Sequence, residues 1–374
     1  MRLLICAGGT GGGVYPALAV LQALNEHKPS WSVEGEVLWV GGEDGMEKNI
    51  ISRKNIEFKT IPAAGLHGVG LKHLPGNVFR LLQGYRKAGQ IIREFRPDVL
   101  FFTGGYLAVP AAYAGRSVPS LVFLPDIEPG LAIRTISKLA SFIAISVDQS
   151  KQYIPQGIPA VVTGYPVRSS LRAWSREDAL YVLNLTPDLP VLLVFGGSKG
   201  ARSINRAVMR ILPDLLQEMQ VVHISGNLDW DEVQMNQENL SQGEKGNYRV
   251  FPFLHDEMGA ALRSADLVVS RSGASILGEY PVFGIPAILV PYPHTWRYQK
   301  TNAQYLADRG AAIIIEDQNL TDQLLSRVQE LIRDQEQLSI MGSAMKVLAQ
   351  PKAAERIAQM LLSLAENAKG GPSL

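Results

Sequence analysis

Short apolar runs alternate with longer stretches of helical period along almost the whole chain. A strand buried on both faces of a parallel sheet reads as a continuous apolar run, and the crossover to the next parallel strand needs a helix. The alternation therefore predicts an α/β fold. A first series of strands is expected at Leu3 to Ala7, Glu36 to Val40, Val99 to Phe102, Ser120 to Leu124 and Phe142 to Ile145. A second is expected at Val191 to Phe195, Val221 to Ile224, Leu267 to Ser270, Ala287 to Val290 and Ala311 to Ile315. Helices fall between them, among them Pro16 to Glu26 and Ser203 to Leu216, and a last helix from about Leu338 to Ala368 precedes a polar Gly-Gly-Pro tail.

The two series follow one plan. Each opens with an apolar strand, a glycine-rich turn and a helix: Cys6-Ala7-Gly8-Gly9-Thr10-Gly11-Gly12-Gly13 in the first, Val194-Phe195-Gly196-Gly197-Ser198-Lys199-Gly200-Ala201 in the second. The turn-forming segment Gly164-Tyr165-Pro166-Val167-Arg168 separates them, so the expected division is an N-terminal domain 1–163, a second domain 164–345 and a C-terminal helix 346–374. A ligand bound by two such domains lies beyond the carboxyl ends of their strands.

Glycine-rich turns at a helix start attract phosphate, because backbone N–H groups and the positive end of the helix dipole converge there and glycine lets a ligand approach closely. Neither turn is a dinucleotide fingerprint: Val14 stands where the third glycine is required after Gly9 and Gly11, and Ser198 breaks the second turn. Neither is followed by the Gly-Lys-Ser/Thr of a Walker A loop. A single turn of this kind also fits mere tight packing of strand on helix; two in matching positions point to a phosphate-bearing ligand.

A third strand-to-helix junction, Ser270-Arg271-Ser272-Gly273-Ala274-Ser275-Ile276-Leu277-Gly278-Glu279, places Glu279 one to two turns into a helix that Pro281 should disturb. A carboxylate there suits the vicinal hydroxyls of a ribose, or is simply a solvated helix residue. Further on, Val290-Pro291-Tyr292-Pro293-His294 leads into Arg297-Tyr298-Gln299-Lys300-Thr301-Asn302, a polar helix opening that can face a ligand.

Composition narrows the class. The chain has 374 residues, 46% of them hydrophobic, and 36 basic against 35 acidic side chains give a net charge of +1. That balance fits a soluble two-domain protein and lacks the electrostatic footprint of a nucleic-acid binder. The lone Cys6 forbids an intrachain disulfide and a cysteine zinc site, sits in an apolar run as a buried strand residue, and fits a reducing cytoplasm. No signal peptide and no membrane-spanning run of about 18 apolar residues is expected.

The assembled motifs resemble the MurG family of peptidoglycan N-acetylglucosaminyltransferases over nearly the whole chain. They are Gly8-Gly9-Thr10-Gly11-Gly12 with Pro16-Ala17-Leu18-Ala19, Gly65-Leu66 with Gly68 and Gly70, Thr103-Gly104-Gly105-Tyr106 with Pro110, and Gly164 with Pro166-Val167-Arg168. To these are added Gly196-Gly197-Ser198 with Gly200-Ala201, Arg271-Ser272-Gly273-Ala274 with Glu279, and Gln299 with Asn302.

The resemblance implies the GT-B glycosyltransferase fold, two Rossmann-like domains facing a central cleft, with UDP-GlcNAc held mainly by the C-terminal half and the acceptor by the N-terminal half. It implies that Ser198 and Arg168 contact the diphosphate or sugar, and that Ala274, Ser275, Ile276 and Leu277 frame uracil. By the same resemblance Glu279 binds ribose, Gln299 binds the GlcNAc hydroxyls and Leu254 joins the nucleotide site. Thr10, Gly11 and Gly12 close the site from the acceptor side, and the final helix returns to the N-terminal domain. No cofactor is required, since UDP-GlcNAc is itself the sugar donor. The acceptor is a polyprenyl-diphosphate-linked muramyl-pentapeptide, met from the cytoplasm at the inner face of the membrane.

The departures from the family fall on the acceptor side. Gly13 stands where the family has a histidine, Phe123-Leu124-Pro125-Asp126 stands where it reads His-Glu-Gln-Asn, and Ile133 lies near a family asparagine. The implied reaction is inverting transfer, which needs charge stabilisation at the departing UDP and removal of the acceptor hydroxyl proton. Helix starts at Ser198 and Ser272, with Arg168, serve the first need without a metal. For the second the candidates are Asp126 and Glu128, with His67; either carboxylate alone also fits a solvated loop residue.

Asp229-Trp230-Asp231 has the form of an Asp-x-Asp metal motif, but at the helix start that follows Gly226-Asn227 its acidic residues are expected as caps, and no metal site is expected. The histidines at 27, 67, 73, 223, 255 and 294 are expected mostly at the surface or in turns. The segment Leu71 to Leu82, followed by Tyr85-Arg86-Lys87, mixes apolar and basic positions, as suits an anionic membrane surface or an ordinary amphipathic helix. Three other readings stay open: a relative using a UDP-sugar on a different acceptor, a UDP-sugar epimerase or hydrolase on the same scaffold, and a non-catalytic UDP-sugar-binding module.

Overall fold

In a computed structural model of the chain, residues 1–8, 11–26, 37–43, 45, 47–63, 74–197, 200–294 and 298–368 are described. They divide into two units, residues 1–168 with 351–374, and residues 169–350.

The first unit is built on a parallel sheet of β1 (Leu3–Cys6), β2 (Val37–Gly42), β3 (Glu57–Ile61), β4 (Val99–Phe102), β5 (Ser120–Leu124), β6 (Phe142–Ile145) and β7 (Ala160–Val162). Their spatial order is β3-β2-β1-β4-β5-β6-β7. Leu4 on β1 lies opposite Leu38 on β2 and Leu100 on β4, so the central strands are apolar because both of their faces are covered by helices. The helix Ala353–Ala368 packs on the helix Gly11–Glu26 through a buried Ile357, Leu361 and Leu364 stripe, and Arg356 Nη1 donates to the Thr163 carbonyl at 3.3 Å.

The second unit repeats the plan with β8 (Val191–Phe195), β9 (Gln220–Ile224), β10 (Tyr248–Phe251), β11 (Leu267–Ser270), β12 (Ala287–Leu289) and β13 (Ala312–Ile314), ordered β10-β9-β8-β11-β12-β13 and all parallel. In both sheets the chain moves outward from the opening strand and then crosses back to its other side. That creates a switch point between β1 and β4 and another between β8 and β11, the place where doubly wound sheets bind ligands. All the strands expected from sequence are present; β3, β7 and β10 are additional, and each is an edge strand.

Candidate active site

In the first unit the switch point brings the turn after β1 against the turn after β4. Gly105 adopts a φ of +87°, and a Cβ there would lie 2.8 Å from the Gly8 carbonyl oxygen, so the two loops meet backbone to backbone. Thr103 Oγ1 donates to the Gly13 carbonyl at 2.6 Å and fastens the first turn of the helix Gly11–Glu26 to the end of β4. A side chain at Gly13 would meet only ordinary van der Waals contacts, the nearest at 3.5 Å, so space does not require glycine where the family carries histidine. Gly11 and Gly12 open the helix beside this junction; Thr10 and His67 lie outside the described residues.

Sequence reasoning missed two residues here. Glu47 is fully buried against Gly8, Gly42 and Gly45 and accepts the Gly42 N–H at 2.8 Å. Tyr15 carries the guanidinium of Arg168 over its ring at 4.5 Å from the centroid, and its ring edge borders Gly11. Arg168 is thereby held at the N-terminal turn of the Gly11–Glu26 helix. Only the small residues around these two positions hinted at bulky neighbours.

The two acidic candidates after β5 differ sharply. Glu128 is not a solvated loop carboxylate: its side chain is buried and accepts from Arg134 Nη2 at 3.0 Å, while Arg134 Nε bonds the Pro129 carbonyl and its guanidinium sits over the Tyr153 ring. The carboxylate end of this ion pair is buried and its arginine end reaches the surface. Asp126 is half-buried in the same loop, whose base is pinned by Ser146 Oγ donating to the carbonyls of Leu124 and Pro125 at 3.1 and 2.8 Å.

In the second unit the turn after β8 requires its glycines. A Cβ on Gly196 would lie 2.2 Å from the Ala201 nitrogen, and one on Gly200, at φ +77°, would lie 2.4 Å from the Ser225 carbonyl oxygen. Gly197, at φ +89°, has no heavy atom within 4 Å of its Cβ position, so the turn opens outward there. Ser198 lies outside the described residues. The helix Arg202–Leu215 that follows is tied to the loop after β9 by a buried network. Asn205 gives its amide hydrogens to Ser225 O and Asp229 Oδ2, both at 2.9 Å, so its Oδ1 must accept from His223 Nε2. His223 Nδ1 then accepts from the Tyr248 hydroxyl at 2.8 Å.

This network corrects two expectations. His223 is fully buried in the middle of β9, and burial holds it well below imidazole's usual range, to about 4, against a weaker pull from Asp229. Asp229 stands at the cap position of the Trp230–Glu238 helix but makes no cap; its buried carboxylate takes Arg202 Nε at 2.7 Å as well as Asn205.

Across the switch point, β11 ends in Ser270 and a short turn reaches the 3₁₀ segment Ala274–Leu277 and then the helix Glu279–Phe283. Glu279 is therefore the first residue of its helix rather than one to two turns inside it. Pro281 lies in that helix's first turn, where a missing N–H costs nothing. Ala274, Ile276 and Leu277 are buried, while Ser275 and Glu279 are half-exposed.

The Arg271 guanidinium is engaged within the protein: it pairs with Asp317 and Ser203 Oγ, donates to the Val290 carbonyl and lies over the Tyr292 ring. Ser272 Oγ donates to the Gln299 carbonyl at 2.8 Å and Asn302 Nδ2 returns a bond to the Ser272 carbonyl at 3.2 Å. Gln299 Oε1 accepts the Tyr292 N–H at 2.9 Å, so what this side chain offers a hydroxyl is its NH₂. Leu254 follows the edge strand β10, with β9 and β8 between it and β11.

A glycine turn thus lies at the switch point of each sheet, and in the second unit Glu279 follows β11 and Gln299 follows β12. Residues 3–145 match the glycosyltransferase family 28 N-terminal domain and residues 191–357 its C-terminal domain. A relative from Roseiflexus sp. (strain RS-1), named UDP-N-acetylglucosamine--N-acetylmuramyl-(pentapeptide) pyrophosphoryl-undecaprenol N-acetylglucosamine transferase, is 37% identical over 97% of this chain and 95% of its own. One of the same name from Desulforudis audaxviator is 37% identical over 98% of this chain and 99% of its own. The crystal structure of Acinetobacter baumannii MurG superposes with a TM-score of 0.72 at 25% identity, covering 96% of this chain and 99% of that one. A UDP-GlcNAc 2-epimerase from Neisseria meningitidis, bound to UDP-GlcNAc, shares the fold at 15% identity with a TM-score of 0.69, covering 97% of this chain and 100% of that one. The fold is thus GT-B, and with both domains matched in order and relatives of this identity along the full length, the chain belongs to glycosyltransferase family 28 and, within it, to the MurG family.

Proposed function

We propose that the protein is an inverting hexosyltransferase that moves N-acetylglucosamine from UDP-GlcNAc to lipid-linked N-acetylmuramyl-pentapeptide in peptidoglycan precursor synthesis. The observation that carries this reading is the full-length similarity to transferases of that name. The reading needs no cofactor.

The second unit supplies the sugar-donor site. The open turn at Gly196 and Gly197, with Ser198 and the start of the Arg202–Leu215 helix, receives the diphosphate. Ala274 to Leu277 border uracil, Glu279 takes the ribose hydroxyls, Gln299 gives its NH₂ to the sugar, and Leu254 adds apolar surface. Arg168 offsets the charge that grows on UDP as the glycosidic bond breaks. On the acceptor side, Gly11 and Gly12 with Thr10 receive the lipid-linked sugar. Of the two base candidates we take Asp126 first, because it is half-buried at the loop surface whereas Glu128 is buried with Arg134 and would have to leave that partner to act.

The polyprenyl acceptor places the site of action at the inner face of the cytoplasmic membrane. Among the described residues no helix is long and apolar enough to cross a membrane. The helix Leu74–Phe95 buries Gly84, Ala88 and Ile91 inward, and on its other side exposes Val78, Phe79, Leu82 and Tyr85 with Arg86; Arg80 and Lys87 are exposed elsewhere on the helix. Exposed apolar side chains beside Arg86, on a helix that also exposes Arg80 and Lys87, suit docking on anionic lipid.

The acceptor-side departures at Gly13 and Phe123 to Asp126 favour one alternative, transfer of GlcNAc to a different acceptor. The test is UDP release from UDP-GlcNAc with and without undecaprenyl-diphospho-muramyl-pentapeptide, following the labelled sugar into the lipid phase. Lipid-dependent transfer is expected; tight UDP-GlcNAc binding with no transfer to this lipid would move the assignment to another acceptor.

A further inference from the structure

We propose that Tyr280 is the positioning residue of the nucleotide site, joining the turn after β8, the turn after β11 and Glu279 into one wall; the proposal rests on the sugar-donor reading above. Tyr280 is fully buried, where phenylalanine would satisfy packing without bringing a hydroxyl that needs a partner. That hydroxyl lies 2.5 Å from Ser270 Oγ, at the last residue of β11. Ser270 Oγ spends its own hydrogen on the Arg271 carbonyl at 3.0 Å, so Tyr280 is the donor and the bonds run in series from phenol to hydroxyl to backbone. They fix the peptide from which Ser272 and Gly273 lead into the Ala274–Leu277 segment.

The ring itself meets Phe195 edge to face, with centroids 6.4 Å apart and planes at 84°. Phe195 is the last residue of β8 and immediately precedes Gly196. One side chain thus touches the residue before each of the two ligand turns and follows Glu279 directly in the chain. Burial raises the phenol well above its usual range, outweighing the opposing pull of the Ser270 hydrogen bond, with the Glu279 charge a smaller contribution in the same direction as burial, so it stays a neutral donor across the working pH. Binding sites demand that their groups stay within a fraction of an ångström, which makes the hydroxyl a determinant of affinity although it touches no ligand.

The experiment is UDP affinity by calorimetry, with KM for UDP-GlcNAc and for the lipid acceptor, in the wild-type full chain, Tyr280→Phe, Ser270→Ala and the double variant. Loss of one buried hydrogen bond in Tyr280→Phe is expected to raise both the UDP Kd and the UDP-GlcNAc KM about tenfold while the acceptor KM stays unchanged. Ser270→Ala should do the same, and the double variant should add nothing further, as for a coupled pair. A Tyr280→Phe protein with wild-type UDP affinity overturns the proposal, whatever its melting temperature. If that variant does not fold, Ser270→Ala, which keeps the ring, decides: weakened UDP binding supports the proposal and wild-type affinity overturns it. Absence of UDP binding by the wild-type chain removes the sugar-donor reading and this one with it, whereas normal wild-type binding with unaltered variants removes Tyr280 alone.

Discussion

The guanidinium of Arg168 stacks on the ring of Tyr15, 4.5 Å from its centroid, although 153 positions separate them in the chain (168 minus 15). A cation over an aromatic face is worth about 0.5–2 kcal/mol, and here it also fixes where the charge points. Tyr15→Phe keeps the ring and should leave the enzyme near wild-type. Tyr15→Leu should lower kcat/KM for UDP-GlcNAc roughly three- to thirtyfold, read from steady-state rates. Equal rates for both variants would detach Arg168 from that ring.

The two acidic candidates should separate cleanly. Asp126→Asn is expected to slow turnover by roughly 10²-fold or more with UDP affinity unchanged, as removal of a general base does. Glu128→Gln leaves Arg134 without its charge partner and should lower the melting temperature with a smaller effect on turnover. Single-turnover transfer and thermal unfolding of both variants decide between them, and the reverse pattern would make Glu128 the base.

Glu279→Ala should weaken UDP binding, measured by calorimetry, and leave the acceptor KM unchanged. Hydrogen bonds to a charged group are worth about 1.5–3 kcal/mol, which corresponds to roughly 10- to 100-fold in affinity. Wild-type affinity would take the ribose role from this residue.

His223 gives stability a pH dependence of defined sign. Its folded value of about 4 lies below the ordinary 6.5, so the unfolded chain binds the extra proton first as pH falls. Its contribution is fully present above about 6.5 and is lost as pH drops toward 4, at most a few kcal/mol at about 1.4 per unit. Urea midpoints should fall between pH 6.5 and 4.5 in the wild-type chain, and fall less steeply in His223→Gln. Parallel slopes for the two proteins would show that other groups govern acid sensitivity.

On the helix Leu74–Phe95, Phe79→Glu with Leu82→Glu should abolish co-sedimentation with anionic vesicles and leave UDP affinity at the wild-type value, since both side chains are exposed. Undiminished sedimentation would return this face to ordinary solvent.

The sequence by itself determined the α/β class, the interior strands and the glycine turns. β1, β4, β8 and β11 are buried at nearly every position, so their apolar runs are continuous and legible. Three of the four edge strands escaped for the same physical reason in reverse; the fourth, β13, keeps an apolar run and was legible. β3, β7 and β10 each have a neighbour on one side only, their residues are largely half-exposed, and Lys59 and Arg249 are tolerated within them.

Tertiary structure alone decided strand order, and with it the site. Nothing in the run Leu267 to Ser270 says that it lies beside β8, yet that adjacency brings the turn at Gly196 to the one at Ser272. The partners of buried polar groups were equally out of reach: His223 is satisfied by Asn205, 18 positions away, and Tyr248, 25 away, and Glu128 by Arg134 on the helix that follows its loop. Hydrophobic periodicity reports how much of a residue is covered. What covers it is settled only when the sheet closes and each buried donor must find an acceptor.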